Sequence, residues 1–179
     1  MRRGATILTM FGVSVIGLAL VLPSGQAADM TTAKAAEYVL AAVKAARTVY
    51  VKGVLADAKK GGVGGNEDWV KDDHGIMLPA QFVKEIGKEI REFEVGLLGT
   101  DPLYASNAAK SPKEKEMLAA LASGKDKVIT GEDGGKTIGM SADFAIVDSC
   151  ASCHNEHPKT TKKDWKKGDF MGAIVVRMK

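Results

Sequence analysis

The side chains with the most chemistry in this sequence occupy five consecutive positions, Cys150-Ala151-Ser152-Cys153-His154, and both cysteines of the chain lie among them. Two thiols separated by two residues and followed at once by an imidazole form the C-x-x-C-H pattern of covalent c-type haem attachment. The spacing has a chemical reason. The two haem vinyl groups lie on one edge of the macrocycle, so a short turn brings one thiol to each. The next residue then falls beneath the ring, where an imidazole ligates iron. On this reading Cys150 and Cys153 anchor one haem c as thioethers, and His154 is the proximal axial ligand of its iron.

Other uses of the same residues fit less well. A thioredoxin-like redox couple shares the C-x-x-C spacing but opens a helix early in a βαβ unit. Here the motif stands late in the chain, between strand-like segments. A zinc site would enlist His154 and His157 beside the thiols and needs all its ligands clustered. A plain disulfide requires neither the spacing nor the histidine. The face of the ring opposite His154 decides the remaining chemistry. No third cysteine exists to serve it. His74 and Met77, in a loop between predicted helices, are candidates for that position. Met117, Met140, Met171 and Met178 are others, at spacings that also suit core packing. An open or water-ligated position stands beside them.

Downstream, His157 lies three residues past His154, and its expected role is a hydrogen bond that fixes the turn before Pro158. Lys159, Lys162, Lys163, Lys166 and Lys167 surround Asp164 and Trp165. They form either a solvated basic loop or a positive rim suited to propionates and to an acidic redox partner. Trp165 belongs to the core or to the wall against the macrocycle.

The elements that must position these residues follow from periodicity. From about Thr32 to Lys60 the apolar residues Val39, Val43, Ala46, Tyr50 and Val54 recur at helical steps, with Thr31 or Thr32 as cap. Gly61 to Gly65 then act as a connector; no Lys-Ser/Thr follows to make a phosphate loop. A second helix starts at Pro79 and buries Phe82, Val83, Ile86, Ile90 and Phe93. A third opens on the capping box Ser111-Pro112-Lys113-Glu114, stops at Gly124 and turns Met117, Leu118 and Leu121 inward. Lys127 to Thr130 predicts a strand, Gly131 to Gly135 a turn, and Lys136 to Val147 one or two strands. Phe170 to Met178 alternates as a last strand. Helices first and strands later predict an α+β domain around an antiparallel sheet.

Composition sets the setting. The chain has 179 residues, 45% hydrophobic and 26% charged, which suits one ordinary globular domain. A net charge of +3 is too weak to argue for nucleic-acid binding, and no basic–aromatic interleaving suggests it, so no nucleic-acid partner is expected. Arg2 and Arg3, the apolar run Ile7 to Leu22, and the small residues up to Ala28 have the layout of a secretory signal peptide over residues 1–28, cleaved near Ala27 or Ala28. The competing reading is an uncleaved membrane anchor, for which the run is slightly shorter than the roughly 20 residues that cross a bilayer. Residues 29–179 are then the mature domain. It is expected to be periplasmic and free of the membrane once the leader is removed, with a formal charge of +1 in place of +3. The oligomeric state is left open.

The stretch from Cys150 to Pro158, followed by Asp164-Trp165-Lys166-Lys167-Gly168-Asp169-Phe170-Met171-Gly172, resembles the haem-binding end of a c-type haem domain family with a PAS-like fold. Ile76-Met77-Leu78-Pro79-Ala80-Gln81-Phe82-Val83 is similar to that family's entry into its second helix, with Met77 where proline is usual. Asn107 to Leu118 follows another family segment loosely. The resemblance implies a PAS-like antiparallel sheet with a long N-terminal helix and flanking helices. Relatives of this kind occur alone or as the sensor part of kinases, cyclases and chemoreceptors. The expected function is that of an exported monohaem cytochrome, passing one electron at a time to a redox partner protein. The alternative is a haem-based sensor of redox state or of a small diatomic ligand such as nitric oxide. A peroxidase-like enzyme ranks last, because no distal Arg–His pair is recognisable in the sequence.

Overall fold

The structure is a computed structural model and describes residues 30–179. The signal peptide expected over residues 1–28 lies outside the described residues. Helix α1 (Thr32–Val49) starts where Thr31 Oγ1 accepts the Lys34 N–H at 3.2 Å. It continues through a π-helical segment, Tyr50–Leu55, into α2 (Ala56–Lys60), so the long helix expected over this stretch is present. Its buried face differs from the expectation. Ala36, Leu40, Val43, Arg47, Tyr50 and Val51 are buried, while Ala46 and Val54 face solvent. A charged residue, Arg47, holds the inward position that a purely apolar pattern assigns to Ala46.

The glycine connector is partly ordered. Gly64–Asn66 (β1) pairs in parallel with Gly75–Met77 (β2). Helix α3 (Pro79–Glu89) follows, and the Gln81 side-chain oxygen accepts the Leu78 N–H at 2.7 Å to close its first turn. The sequence pattern carries this helix on through Ile90 and Phe93, but the helix ends at Glu89, and Phe93–Gly99 is strand β3. The three-residue step from Ile90 to Phe93 imitates a helical period across what is a turn. Gly87 makes that turn tight: a Cβ there would sit 2.5 Å from the Val95 carbonyl oxygen.

Helix α4 (Pro112–Ala122) has the expected capping box. Ser111 Oγ accepts the Glu114 N–H at 2.9 Å, and Glu114 accepts the Ser111 N–H at 3.3 Å. Strands β4 (Val128–Asp133) and β5 (Lys136–Phe144) form a hairpin; the strand runs on through Gly131–Asp133, where a turn was expected, and the turn itself is only Gly134 and Gly135, with φ of 60° and 79°. Two consecutive positive φ values match the right-handed twist of a hairpin, and glycine adopts them without steric cost. Helix α5 (Asp148–Glu156) and strand β6 (Phe170–Met178) complete the chain of elements.

The four-stranded sheet is antiparallel with order β3-β6-β5-β4. On one face Met117, Leu118 and Leu121 of α4 pack on Met140, Ala173 and Val175. On the other, Leu40, Val43 and Val83 of α1 and α3 pack on Ile174 and Val176. Because β6 is central and covered on both faces, its middle, Ala173 to Val176, is an unbroken buried apolar run. This is the α+β architecture expected, an antiparallel sheet with the long N-terminal helix laid across it. No helix among the described residues is long and apolar enough to cross a membrane.

Candidate functional site

The C-x-x-C-H residues lie on α5 and not on an irregular turn. Val147 enters extended, the Cys150 N–H bonds the Val147 carbonyl at 3.0 Å, and the His157 N–H closes the helix on the Cys153 carbonyl at 3.1 Å. On a helix, positions three and four apart share a face. Cys150, Cys153 and His154 therefore point the same way, while Ala151 is buried. All three border one cavity of about 670 Å³. That size falls within the range of about 300–1,000 Å³ typical of cofactor and ligand sites.

Another stretch of the cavity lining is a single stripe of the long helix. Arg47, Val51, Leu55 and Lys59, each four residues from the next, line the cavity in order. The π-helical segment lies within this stripe. Such segments recur at functional sites because the extra residue per turn re-aims the side chains that follow. Tyr50 anchors it by stacking on Phe82, with centroids 4.4 Å apart and planes 4° apart, and by donating its hydroxyl to the Met77 carbonyl. Leu78 and Pro79 at the start of α3, Leu97 and Leu98 of β3, and Met171 of β6 supply the remaining apolar lining.

Trp165 borders the same cavity, buried, with its ring edge-on to His154 at 6.3 Å. Asn155 holds it by its backbone: the side-chain oxygen accepts the Trp165 N–H at 2.8 Å, and the side-chain amide donates to the Trp165 carbonyl at 3.0 Å. The loop leading to Trp165 is fastened by Asp101, which accepts from the Thr161 hydroxyl at 2.6 Å and the Lys162 N–H at 3.0 Å. These bonds, the Thr161 hydroxyl foremost, hold the Asp101 carboxyl below its usual range.

The charge states suit ligation. Burial, reinforced by the neighbouring His157, pushes the His154 imidazole below its ordinary pKa, so the ring is neutral at pH 7. Neutral imidazole is the form that binds metal. Its Nδ1 is buried with no hydrogen-bond partner, so the described residues leave the polar capacity of this ring unspent. Burial also raises the Cys153 thiol, with Cys150 adding to the effect, and both cysteines are unbridged. Two unbridged thiols and a neutral imidazole on one helical face, against a largely apolar cavity, fit the haem expected from the motif. The zinc alternative lacks ligands: among the described residues no three His, Cys, Asp or Glu side chains gather as they would around an ion.

The other expected residues divide. His157 has the expected role: its Nδ1 accepts the Lys159 N–H at 3.1 Å across Pro158, and its Nε2 lies 3.5 Å from Glu67. His74 is exposed, and neither it nor Met77 borders the cavity. Met117 of α4 and Met140 of β5 are buried together in one core, and Met178 packs against the α1–α3 core. Lys159 lies 3.8 Å from the Tyr104 ring centroid, and Lys162 lies over Trp165 while pairing with Asp164 at 3.0 Å. Lys163, Lys166 and Lys167 are exposed.

Sequence reasoning missed an ion pair on the cavity wall. Arg47 and Asp143 meet at 2.9 Å with side chains only 11% and 14% exposed, and both border the cavity. The Arg47 Nε has no partner. Burial pushes the Asp143 carboxyl up, against the pull of Arg47 and Lys44. The clue in the sequence is an arginine four residues from both Val43 and Val51.

A solved structure described as the crystal structure of the cyanobacterial heme-protein Tll0287 aligns with this chain at a TM-score of 0.47 and 14% identity, over 56% of this chain and 68% of its own. No curated protein matches. The family model Tll0287-like matches residues 25–179, a span that takes in every element described above and the whole cavity wall. The chain belongs to the Tll0287-like family.

Proposed function

We propose that this protein is an exported, single-haem c-type cytochrome of the periplasm that passes one electron at a time to a redox partner protein. The observation that carries the reading is the convergence of Cys150, Cys153 and His154 on one apolar cavity of cofactor size. When bound, haem supplies a one-electron ferric–ferrous couple. The chain's own residues do the rest. Each thiol adds its sulfur to one vinyl carbon and its hydrogen to the other, so the two thioethers form without net oxidation. His154 offers a neutral ring nitrogen to the iron. Val51, Leu55, Leu97 and Leu98 keep water from the cavity, and Trp165 closes one side. The family matched over residues 25–179 includes a protein whose printed description is a heme-protein, in keeping with this reading. The exposed Lys163, Lys166 and Lys167 suit an acidic partner surface.

The test is expression of the full chain in a host with c-type haem maturation. The denatured protein should keep its haem through acid–acetone extraction and give the alkaline pyridine spectrum of a two-thioether haem. Cys150→Ala/Cys153→Ala should lose covalent haem completely. Extraction of all haem from the wild-type chain would sink the attachment claim.

A further inference from the structure

We propose that the Met171 thioether is the second axial ligand of the iron, opposite His154. The proposal rests on the haem reading given above and concerns this chain's own residues. Its first support is a defect in the sheet. Along β5 and β6, Asp143 faces Gly172 and the next residue, Phe144, faces Phe170, so Met171 is an extra residue with no partner on β5. A β-bulge of this kind re-aims the side chain of the inserted residue and occurs next to functional sites. Met171 borders the cavity, and its carbonyl accepts the Thr100 N–H at 3.0 Å and so holds the bulge to the end of β3. Gly172 beside it has a φ of 154°, and a Cβ there would fall 1.9 Å from the Leu98 carbonyl oxygen, so only glycine lets the two strands meet at this bend.

The second support comes from the other cavity-lining groups. A ligand needs a lone pair that the protein has not already engaged. Both His157 ring nitrogens face partners, Lys159 and Glu67. The Tyr104 hydroxyl donates to the Glu67 carboxylate at 2.6 Å. Asp101 is saturated by the Thr160–Lys162 loop, and Asp143 is paired with Arg47. Arg47, Lys59 and Lys84 end in cationic groups without a free lone pair. Met171 brings the one thioether on the cavity wall among the described residues, and a soft, neutral sulfur suits haem iron facing a histidine. His74 and Met77, the earlier candidates, do not reach this wall.

The experiment compares the covalently loaded full chain with Met171→Leu, a change that keeps side-chain volume, and with Met171→His. The ferric wild type should show the weak red absorption band of a sulfur–iron bond, and its ferrous form should resist carbon monoxide. Met171→Leu should keep its covalent haem, lose the band and bind carbon monoxide readily. Met171→His should restore a six-coordinate spectrum without the band. In wild type labelled with ¹³C-methyl methionine, the ferrous haem ring current should shift one methyl resonance strongly upfield; this needs no variant to fold. A loaded wild type without band and shifted methyl, or a Met171→Leu protein that keeps them, overturns the assignment. A wild type without covalent haem overturns the function proposed above instead.

Discussion

At the scale of single residues, the least expected one is Arg47. An arginine placed in a buried helical stripe loses its hydration and must recover it from a partner. Asp143 provides that at 2.9 Å, and Lys44 nearby donates to the Ala142 carbonyl at 2.8 Å. Removing one member leaves the other charge buried and alone, at a cost of about 3–5 kcal/mol, whereas replacing both by apolar groups is often nearly neutral. Arg47→Met should therefore lower the urea-unfolding free energy by about 3 kcal/mol, and Arg47→Met/Asp143→Leu should recover most of the loss. Equal losses in the single and double variants would mean that the pair matters for packing and not for charge. The pair was not legible in the sequence because hydrophobic patterning scores arginine as surface. Cys150, Cys153 and His154, singled out by their spacing, do meet at one cavity.

Elements carry a different kind of information. Local signals were read well: the capping box at Ser111, proline at the start of α3, and the paired glycines of the β4–β5 turn all mark boundaries by side chain–backbone chemistry. Strand β3 was missed because its existence depends on pairing with β6, some eighty positions later, and its first residue continued a helical period. The helical character of the motif segment was missed for a similar reason: a helix as short as α5 is stabilised by what it packs against. The capping box also has a pH signature. Burial opposes ionisation of Glu114, but the bonds from Arg177, Lys110 and Ser111 outweigh it and hold the carboxyl below its ordinary value of 4.5. A lowered folded-state value adds stability above about pH 4.5, and this is lost as the pH falls through the lower folded value. Glu114→Gln should thus cost about 2 kcal/mol at pH 7, and the variant and the wild type should converge in stability on acidification. A gap that persists at pH 2–3 would assign the loss to geometry and not to charge.

For the whole molecule, the cavity belongs to no single part of the chain. One wall is the first helix, another is the end of β3, a third is α5, and the last comes from Trp165 and β6. The sheet has the same character, because β6 joins β3 to β5 and only then does a four-stranded sheet exist. This has a consequence in time. During synthesis α5 emerges before β6, so its two thiols are presented while the slot between β3 and β5 is still open. The central strand works as a late closing step, and until it arrives both thiols stand accessible. A chain stopped before Phe170 should hold that open state: no cooperative unfolding transition, and both cysteines labelled by a thiol reagent at the rate of an unfolded peptide. Cooperative melting of such a chain would show that closure does not depend on the last strand.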